Sequence, residues 1–292
     1  MFGKTLLATD TSAASDAVVE YATRLESVGC NQVVLVYALY TKHLVGLDEA
    51  LKADAAPKLD KQRKVLEAAG FVVDVETPTG VPGQEITRLA DERGCKLIVV
   101  GSHGHSLVRD MALGGVATDI VHRATVPVLV VRIQIIEEER RQCCRVAVSD
   151  LLSHVLYATD FSDNAERAFL FVEELARIGC RRASLIHVQD VTRIRPHLED
   201  RLQEFNEIDR SRLERMASRL RDLGVEDVEV EIPYGVPAKE IVDLVKVSLP
   251  SLVVVGTHGR GFVADALAGS VSHNVVRLSQ SPVLVVPPVR SL

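Results

Sequence analysis

The sequence predicts an α/β chain of two tandem doubly wound domains. Each is a five-stranded parallel sheet with helices on both faces, in flavodoxin-like layering. Three observations carry this expectation. Short Val-, Ile- and Leu-rich runs alternate with longer amphipathic stretches, the pattern of strand–helix units that build parallel sheets. The chain repeats itself once: LLATDTSAASDAV near the start matches VLYATDFSDNAERA, and LIVVGSHG (97–104) matches LVVVGTHG (252–259). Aromatic residues make up only 4% of the 292 and Trp is absent, so aliphatic side chains must fill the core. Sheets covered on both faces are filled in that way.

The elements of the first copy follow in order. Thr5 to Thr9 reads as strand, and Ser12 is placed to cap a helix in which Val18, Tyr21, Ala22 and Leu25 fall at helical spacing. Val33 to Ala38 is the second strand, and a long helix runs from about Asp48 to Ala69, ended by Gly70. Val72 to Thr77 is the third strand. Pro82 opens the next helix, with Ile86, Leu89 and Ala90 on one face. Lys96 to Val100 is the fourth strand, a helix covers about Val116 to Arg123, and Val128 to Arg132 is the fifth.

The second copy repeats this order. Its first helix carries Ala165, Phe169, Val172 and Leu175. Its long helix carries Leu198, Leu202, Phe205, Ile208, Leu213, Met216 and Leu220, which reads as a stripe packed on the core. Asp160 faces Asp10 and Val188 faces Ala38 at an offset of 150, whereas Gly235-Val236-Pro237 faces Gly80-Val81-Pro82 at 155. The second copy therefore holds five extra residues in the region of its second helix. A period this long marks duplicated domains, because solenoid repeats run roughly 20–50 residues. The expected division is a domain over 1–134, a linker over 135–152 and a domain over 153–292. The charged EEERRQ run falls in the linker, which is expected to be helical or extended.

In open parallel sheets, ligands bind beyond the C-terminal strand ends, where the strand order reverses. The ends of the first and fourth strands flank that crevice, which brings Asp160 and Gly256 together. After Gly256 the chain reads G-x2-G-x9-G-S, through Gly259 to Gly269 and Ser270, and then becomes helical. Glycines allow close backbone approach, and the N–H groups opening a helix attract an anion such as phosphate. Ser270 and Ser272 add hydroxyls there. The stretch is neither a P-loop, since no Lys-Ser/Thr pair follows a glycine, nor G-x-G-x-x-G. His103 and its twin His258 read as loop-packing residues, because no second metal-type residue stands beside either.

Composition narrows the function. The net charge of −6 argues against a nucleic-acid surface, and no apolar run approaches the roughly 20 residues that cross a bilayer. MFGKTLLATD turns polar too soon for a signal peptide. With five cysteines, an odd number, the expectation is a cytoplasmic protein with reduced thiols. Cys30 and Cys180 each follow a Gly after a first helix and read as structural. Cys143 and Cys144 are adjacent, without the further ligands that a metal site needs.

The ordered set of ATD, S-x-x-A, HV, G-V-P and VVVGTHG…GS…SPVLVV resembles the universal stress protein pattern over nearly all of both halves, in a tandem form. The resemblance implies a stress-response protein that binds ATP or AMP, acting as regulator or sensor without efficient catalysis. In the second copy it assigns the nucleotide to Ala158, Thr159, Asp160 and the Val188 backbone, and to Gly256, Gly259, Gly269, Ser270, Val271 and Ser272. Asp160 would contact the adenosine, Val188 the adenine, and the loop the phosphates. Mg2+ would be held through the phosphates. A weaker site in the first copy would use Asp10, Ala38, Gly101, Gly104, Gly114 and Gly115, where Gly115 and Ala117 replace Ser270 and Ser272. The resemblance also implies a homo-oligomer, either a dimer of tandem chains or an intrachain pairing of the two domains. VPVLVV and SPVLVV are apolar edges that need cover. Two other readings stay open: a ligand-poor scaffold working through dimerisation, and a slow ATPase or self-phosphorylating protein. A flavodoxin-like redox protein fits less well, because no glycine stands in Thr-Asp-Thr-Ser or Thr-Asp-Phe-Ser.

Overall fold

The computed structural model describes residues 2–40, 47–104, 113–138, 141–146, 150–195, 197–257 and 269–289. The chain divides into two compact units, Met1–Ser149 and Asp150–Pro288.

The first unit contains β1 (Lys4–Ala8), α1 (Ala13–Ala22), β2 (Gln32–Val36), α2 (Leu47–Ala68), β3 (Val72–Glu76), α3 (Pro82–Glu92), β4 (Leu97–Gly101), α4 (Gly115–Arg123) and β5 (Val128–Val131). All five strands are parallel, in the order β5-β4-β1-β2-β3. The order reverses between β1 and β4, so the chain leaves their tips in opposite directions. Leu6, Leu7, Val34, Leu35, Ile98 and Val99 are buried on both faces of the sheet. Ser12 caps α1 through a bond from Ser15 N–H (3.2 Å). Gly70, at φ +90°, closes α2 with Phe71 N–H donating to Leu66 O. That left-handed turn suits glycine.

The stretch expected as a linker pairs with itself. β6 (Ile133–Glu138) and β7 (Arg141–Val146) form an antiparallel hairpin that packs on α1. The reason lies at its start: Ile133 is buried, and its N–H donates to Ser102 Oγ (3.1 Å) at the end of β4. The run of isoleucines that follows favours strand over helix.

The second unit contains β8 (Val155–Ala158), α5 (Asp163–Arg177), β9 (Arg182–Ile186), β10 (Gln189–Asp190), α6 (Val191–Ile194), α7 (Leu202–Asp222), β11 (Asp227–Glu231), β12 (Tyr234–Gly235), α8 (Pro237–Ser248), β13 (Leu252–Gly256), α9 (Ser270–Leu278) and β14 (Val283–Val286). The parallel order is β14-β13-β8-β9-β11, with β10 and β12 forming a small two-stranded extension. α6 occupies the region of the five extra residues. The stripe on the long helix is core only in its second half: Leu213, Met216, Ala217 and Leu220 are buried on α7, whereas Ile208 is 52% exposed and Leu198, which precedes the helix, 37%. In the first half of α7 the inward positions are taken by Asp209 and Arg212. Among the described residues, no helix is long and apolar enough to cross a membrane.

Candidate functional site

In the second unit the chain leaves β8 through Thr159, Asp160, Phe161 and Ser162. Thr159 N–H donates to Ile186 O (2.9 Å), the last rung between β8 and β9. Thr159 Oγ1 accepts Phe161 N–H (2.9 Å), and Asp160 Oδ1 accepts Ser162 N–H (3.1 Å). Ser162 Oγ then accepts Ala165 N–H (3.3 Å) and caps α5. Phe161 sits at φ +57°, matched by Thr11 at φ +62° in the first unit. A non-glycine residue in that region costs of order 1–3 kcal/mol and persists only where its surroundings fix it. Both units therefore hold the same tight turn directly after the aspartate.

The neighbouring strand tip follows from alternation. Along a strand in a parallel sheet, successive residues direct their peptide groups to opposite neighbours. Ile186 bonds toward β8, whereas His187 N–H donates to Glu231 O (3.0 Å) and Gln189 N–H to Pro233 O (2.9 Å), on the other side. Val188 lies between them and turns its N–H and C=O to the β8 side, where the chain has already left the sheet at Asp160. No hydrogen bond joins that peptide to another described residue. The first unit repeats the arrangement: Thr9 N–H reaches Val36 O, Tyr37 N–H reaches Glu76 O, Leu39 N–H reaches Pro78 O, and Ala38 faces the crevice beside Asp10.

The other wall is the turn after β13. Gly256 is needed for packing: a Cβ there would lie 2.7 Å from Asn164 Nδ2 on α5. Gly269 N–H donates to Thr257 O (2.8 Å), which draws the two ends of the turn together. α9 then opens with Ser270, Val271 and Ser272, whose N–H groups have no partner within the helix by its geometry. Ser270 is exposed and Val271 half-buried, so solvent reaches this turn. Ser272 differs from the expectation. It is buried, and its hydroxyl faces Thr257 O (2.7 Å) and Gly269 O (2.9 Å), so its proton serves the turn and is withheld from a ligand. Gly259 and His258 lie outside the described residues.

The first unit has the same frame with different loading. Asp10 Oδ1 accepts Ser12 N–H (3.1 Å), Ser12 Oγ (2.5 Å) and Ser15 Oγ (2.5 Å). Its Oδ2 lies so close to Gly104 that a Cβ there would collide with it. Gly101 is packed between Val18 and Ile133, as Gly256 is on Asn164. Gly114 N–H donates to Ser102 O (2.8 Å) and precedes α4, which begins at the exposed Gly115. Thr118 Oγ1 donates to Gly114 O (3.0 Å), a role close to that of Ser272. Among the described residues of these turns, Ser270 against Gly115 is therefore the hydroxyl difference left that could face a ligand. His103 Nδ1 lies 2.9 Å from the buried Ser102 Oγ, in keeping with a loop-packing residue.

A buried polar cluster behind the second-unit turn was not anticipated from the sequence. His187 Nδ1 lies 2.8 Å from Thr159 O, and its Nε2 lies 3.4 Å from Asp209 Oδ2. Gln189 Nε2 donates to the same oxygen (3.0 Å), and Arg212 Nη1 lies 3.5 Å from Asp209 Oδ1. Arg212 covers the Phe161 ring at 4.2 Å from its centroid, and that ring lies against His187 at 4.6 Å. Burial works to raise the Asp209 carboxyl, but the hydrogen bond and charge of His187, with Gln189 and Arg212, hold it below the usual carboxylate range. The sequence signal was faint: the His-Val-Gln run is visible, but its partner lies a helix away. Among the described residues, no group of three His, Cys, Asp or Glu could hold a metal ion.

The family model described as "Universal stress protein family" matches residues 1–132 and 152–287. A universal stress protein of Mycolicibacterium smegmatis is 27% identical over 298 aligned residues, covering 97% of this chain and 96% of that protein. Universal stress protein MJ0577 of Methanocaldococcus jannaschii is 29% identical over 158 residues, covering 48% of this chain and 97% of its own. The crystal structure of a universal stress protein from Archaeoglobus fulgidus superposes with a TM-score of 0.76 at 26% identity, covering 98% of this chain and 99% of that one.

Proposed function

The chain belongs to the universal stress protein family, and from that premise we propose that its second unit binds an adenine nucleotide, AMP or ATP, as a stress-responsive regulator without efficient turnover. The observation that carries this reading is the Val188 peptide, aimed at the crevice beside Asp160 with no bond to another described residue. A purine edge offers one donor and one acceptor side by side, which is what a strand peptide matches. Asp160 suits a ribose hydroxyl. The N–H groups of Ser270, Val271 and Ser272 suit a phosphate, and Ser270 adds its hydroxyl. Mg2+ would travel with the phosphates, whose oxygens it prefers. Asp160 stands at the nucleoside end in this arrangement, too far from a terminal phosphate to serve as a base on attacking water.

The first unit is read as the weaker site. Asp10 Oδ1 already gathers three donors and Gly115 supplies no hydroxyl. Titration calorimetry of the whole chain with AMP and with ATP tests the assignment. Asp160→Asn should weaken the tight site by about tenfold or more, the scale of one charge-assisted hydrogen bond. Asp10→Asn should leave that site as it is. Loss of the tight site from Asp10→Asn alone would place it in the wrong unit.

A further inference from the structure

The cluster of His187, Asp209, Gln189 and Arg212 lies beside both proposed nucleoside contacts and is bonded to the residues that flank them. Thr159 and Phe161 flank Asp160; His187 and Gln189 flank Val188. All four flanking residues are bonded into the cluster or stacked on it, and α7 supplies its centre through Asp209. The spacing between Asp160 and Val188 thus depends on these side chains.

His187 is the sensitive member. Its Nδ1 faces a carbonyl oxygen and its Nε2 faces a carboxylate oxygen. Both partners only accept, so the ring fits this position with a proton on each nitrogen. Removing one proton turns a lone pair toward an oxygen. The Asp209 contact, at 3.4 Å the longer of the two, is the one that would open. The groups facing the ring come from every side: the Thr159 carbonyl and Phe161 from the β8 turn, Asp209 with Arg212 behind it from α7, and Gln189 from β10. From β11, only the Glu231 carbonyl takes part, bonded to the His187 backbone. Arg212 opposes the imidazolium, but Asp209 and the Phe161 ring share its charge.

We propose that His187, Asp209 and Arg212 are positioning residues of the second-unit nucleotide site, and that protonation of His187 closes the cluster and tightens nucleotide binding. This rests on the reading that the second unit binds an adenine nucleotide. The first unit lacks the device. Tyr37, Leu39 and Thr11 stand where His187, Gln189 and Phe161 do. Its long helix instead sends Gln62 to Thr9 Oγ1 (2.9 Å) and to Asp16 (2.7 Å). The dependence on protonation therefore belongs to one half of the chain.

The experiment is AMP calorimetry on the full chain between about pH 5.5 and 8.5, the range in which histidines commonly exchange their proton. It compares the wild type with His187→Gln, Asp209→Asn and the double variant. Referring each affinity to His187→Gln at the same pH removes the titration of AMP itself. Relative to that variant, wild-type affinity should be about tenfold higher at the acid end and should lose this advantage as pH rises, a loss on the scale of one charge-assisted hydrogen bond. Asp209→Asn should lose the same advantage, and the double variant should bind no worse than either single one. Variants that bind like the wild type throughout, or a wild-type advantage that does not change with pH, would overturn the proposal. Should the variants fail to fold, proton NMR of the wild type decides: AMP must move the titration of the His187 ring signal to higher pH, and an unmoved titration overturns the proposal. A wild type that binds neither AMP nor ATP at any pH refutes the nucleotide reading itself. A wild type that binds while the variants match it refutes only the positioning role.

Discussion

Cys30, Cys95 and Cys180 are all buried, and burial pushes each thiol up, that of Cys180 to about 11. Cys30 Sγ lies 3.2 Å from Thr5 Oγ1, and Cys180 Sγ 3.1 Å from Arg182 O. Thiols held protonated in this way are poor nucleophiles. A maleimide added to the native protein at neutral pH should therefore leave these three unlabelled while modifying the half-buried Cys144, as peptide mass mapping would read. Ser272 invites a second test at this scale. Its hydroxyl ties α9 to Thr257 O, but Thr257 O keeps the Gly269 N–H and Gly269 O keeps the His273 N–H, so Ser272→Ala should cost only about 0.5–1.5 kcal/mol in denaturant unfolding, the net loss of one hydrogen bond. Any change in nucleotide affinity would follow from that loosened turn. A variant as stable as the parent that binds ten times more weakly would instead make Ser272 a direct contact.

Single elements carry the next consequences. α5 packs against β13 through the contact of Asn164 with Gly256, so Gly256→Val should push the helix off the sheet and destabilise the second unit by about 1–3 kcal/mol. A shift in unfolding midpoint is the readout. α7 gives a prediction in acid. The Asp209 carboxyl is depressed in the folded state, so its stabilisation is complete above the ordinary aspartate value of about 4 and is lost as pH falls through the lower folded value. Asp209→Asn should flatten that acid limb of the stability curve. The helix and strand pattern was readable because burial on both faces leaves unbroken aliphatic runs, and because Ser12, Gly70 and Pro82 punctuate them by local backbone chemistry. The hairpin of β6 and β7 was not, since a charged run says nothing of Ile133 docking on Ser102. Nor was the polar half of α7, where apolar spacing around Ile208 mimics a core stripe. The candidate site was half legible. The convergence of Asp160 and Gly256 follows from strand ends and Val188 was assigned through the family resemblance, but whether a serine hydroxyl points at a ligand or at its own backbone depends on contacts that no local pattern encodes.

Across the whole molecule, duplication supplies an internal control. Two units share one strand order and one turn after the first strand, yet Asp10 is tied down by two serines, and the first unit lacks the His187 cluster. The same frame can thus be compared with itself in one chain. The central claim is that the Val188 peptide and the first turn of α9 together seat an adenine nucleotide in the second unit. A crystal structure of the full chain grown with excess AMP tests it most directly. The account predicts density for the base on the Val188 N–H and C=O, the ribose at Asp160, and the phosphate against the N–H groups of Ser270–Ser272. Clear AMP density elsewhere, with that crevice filled by the protein's own side chains, would contradict it.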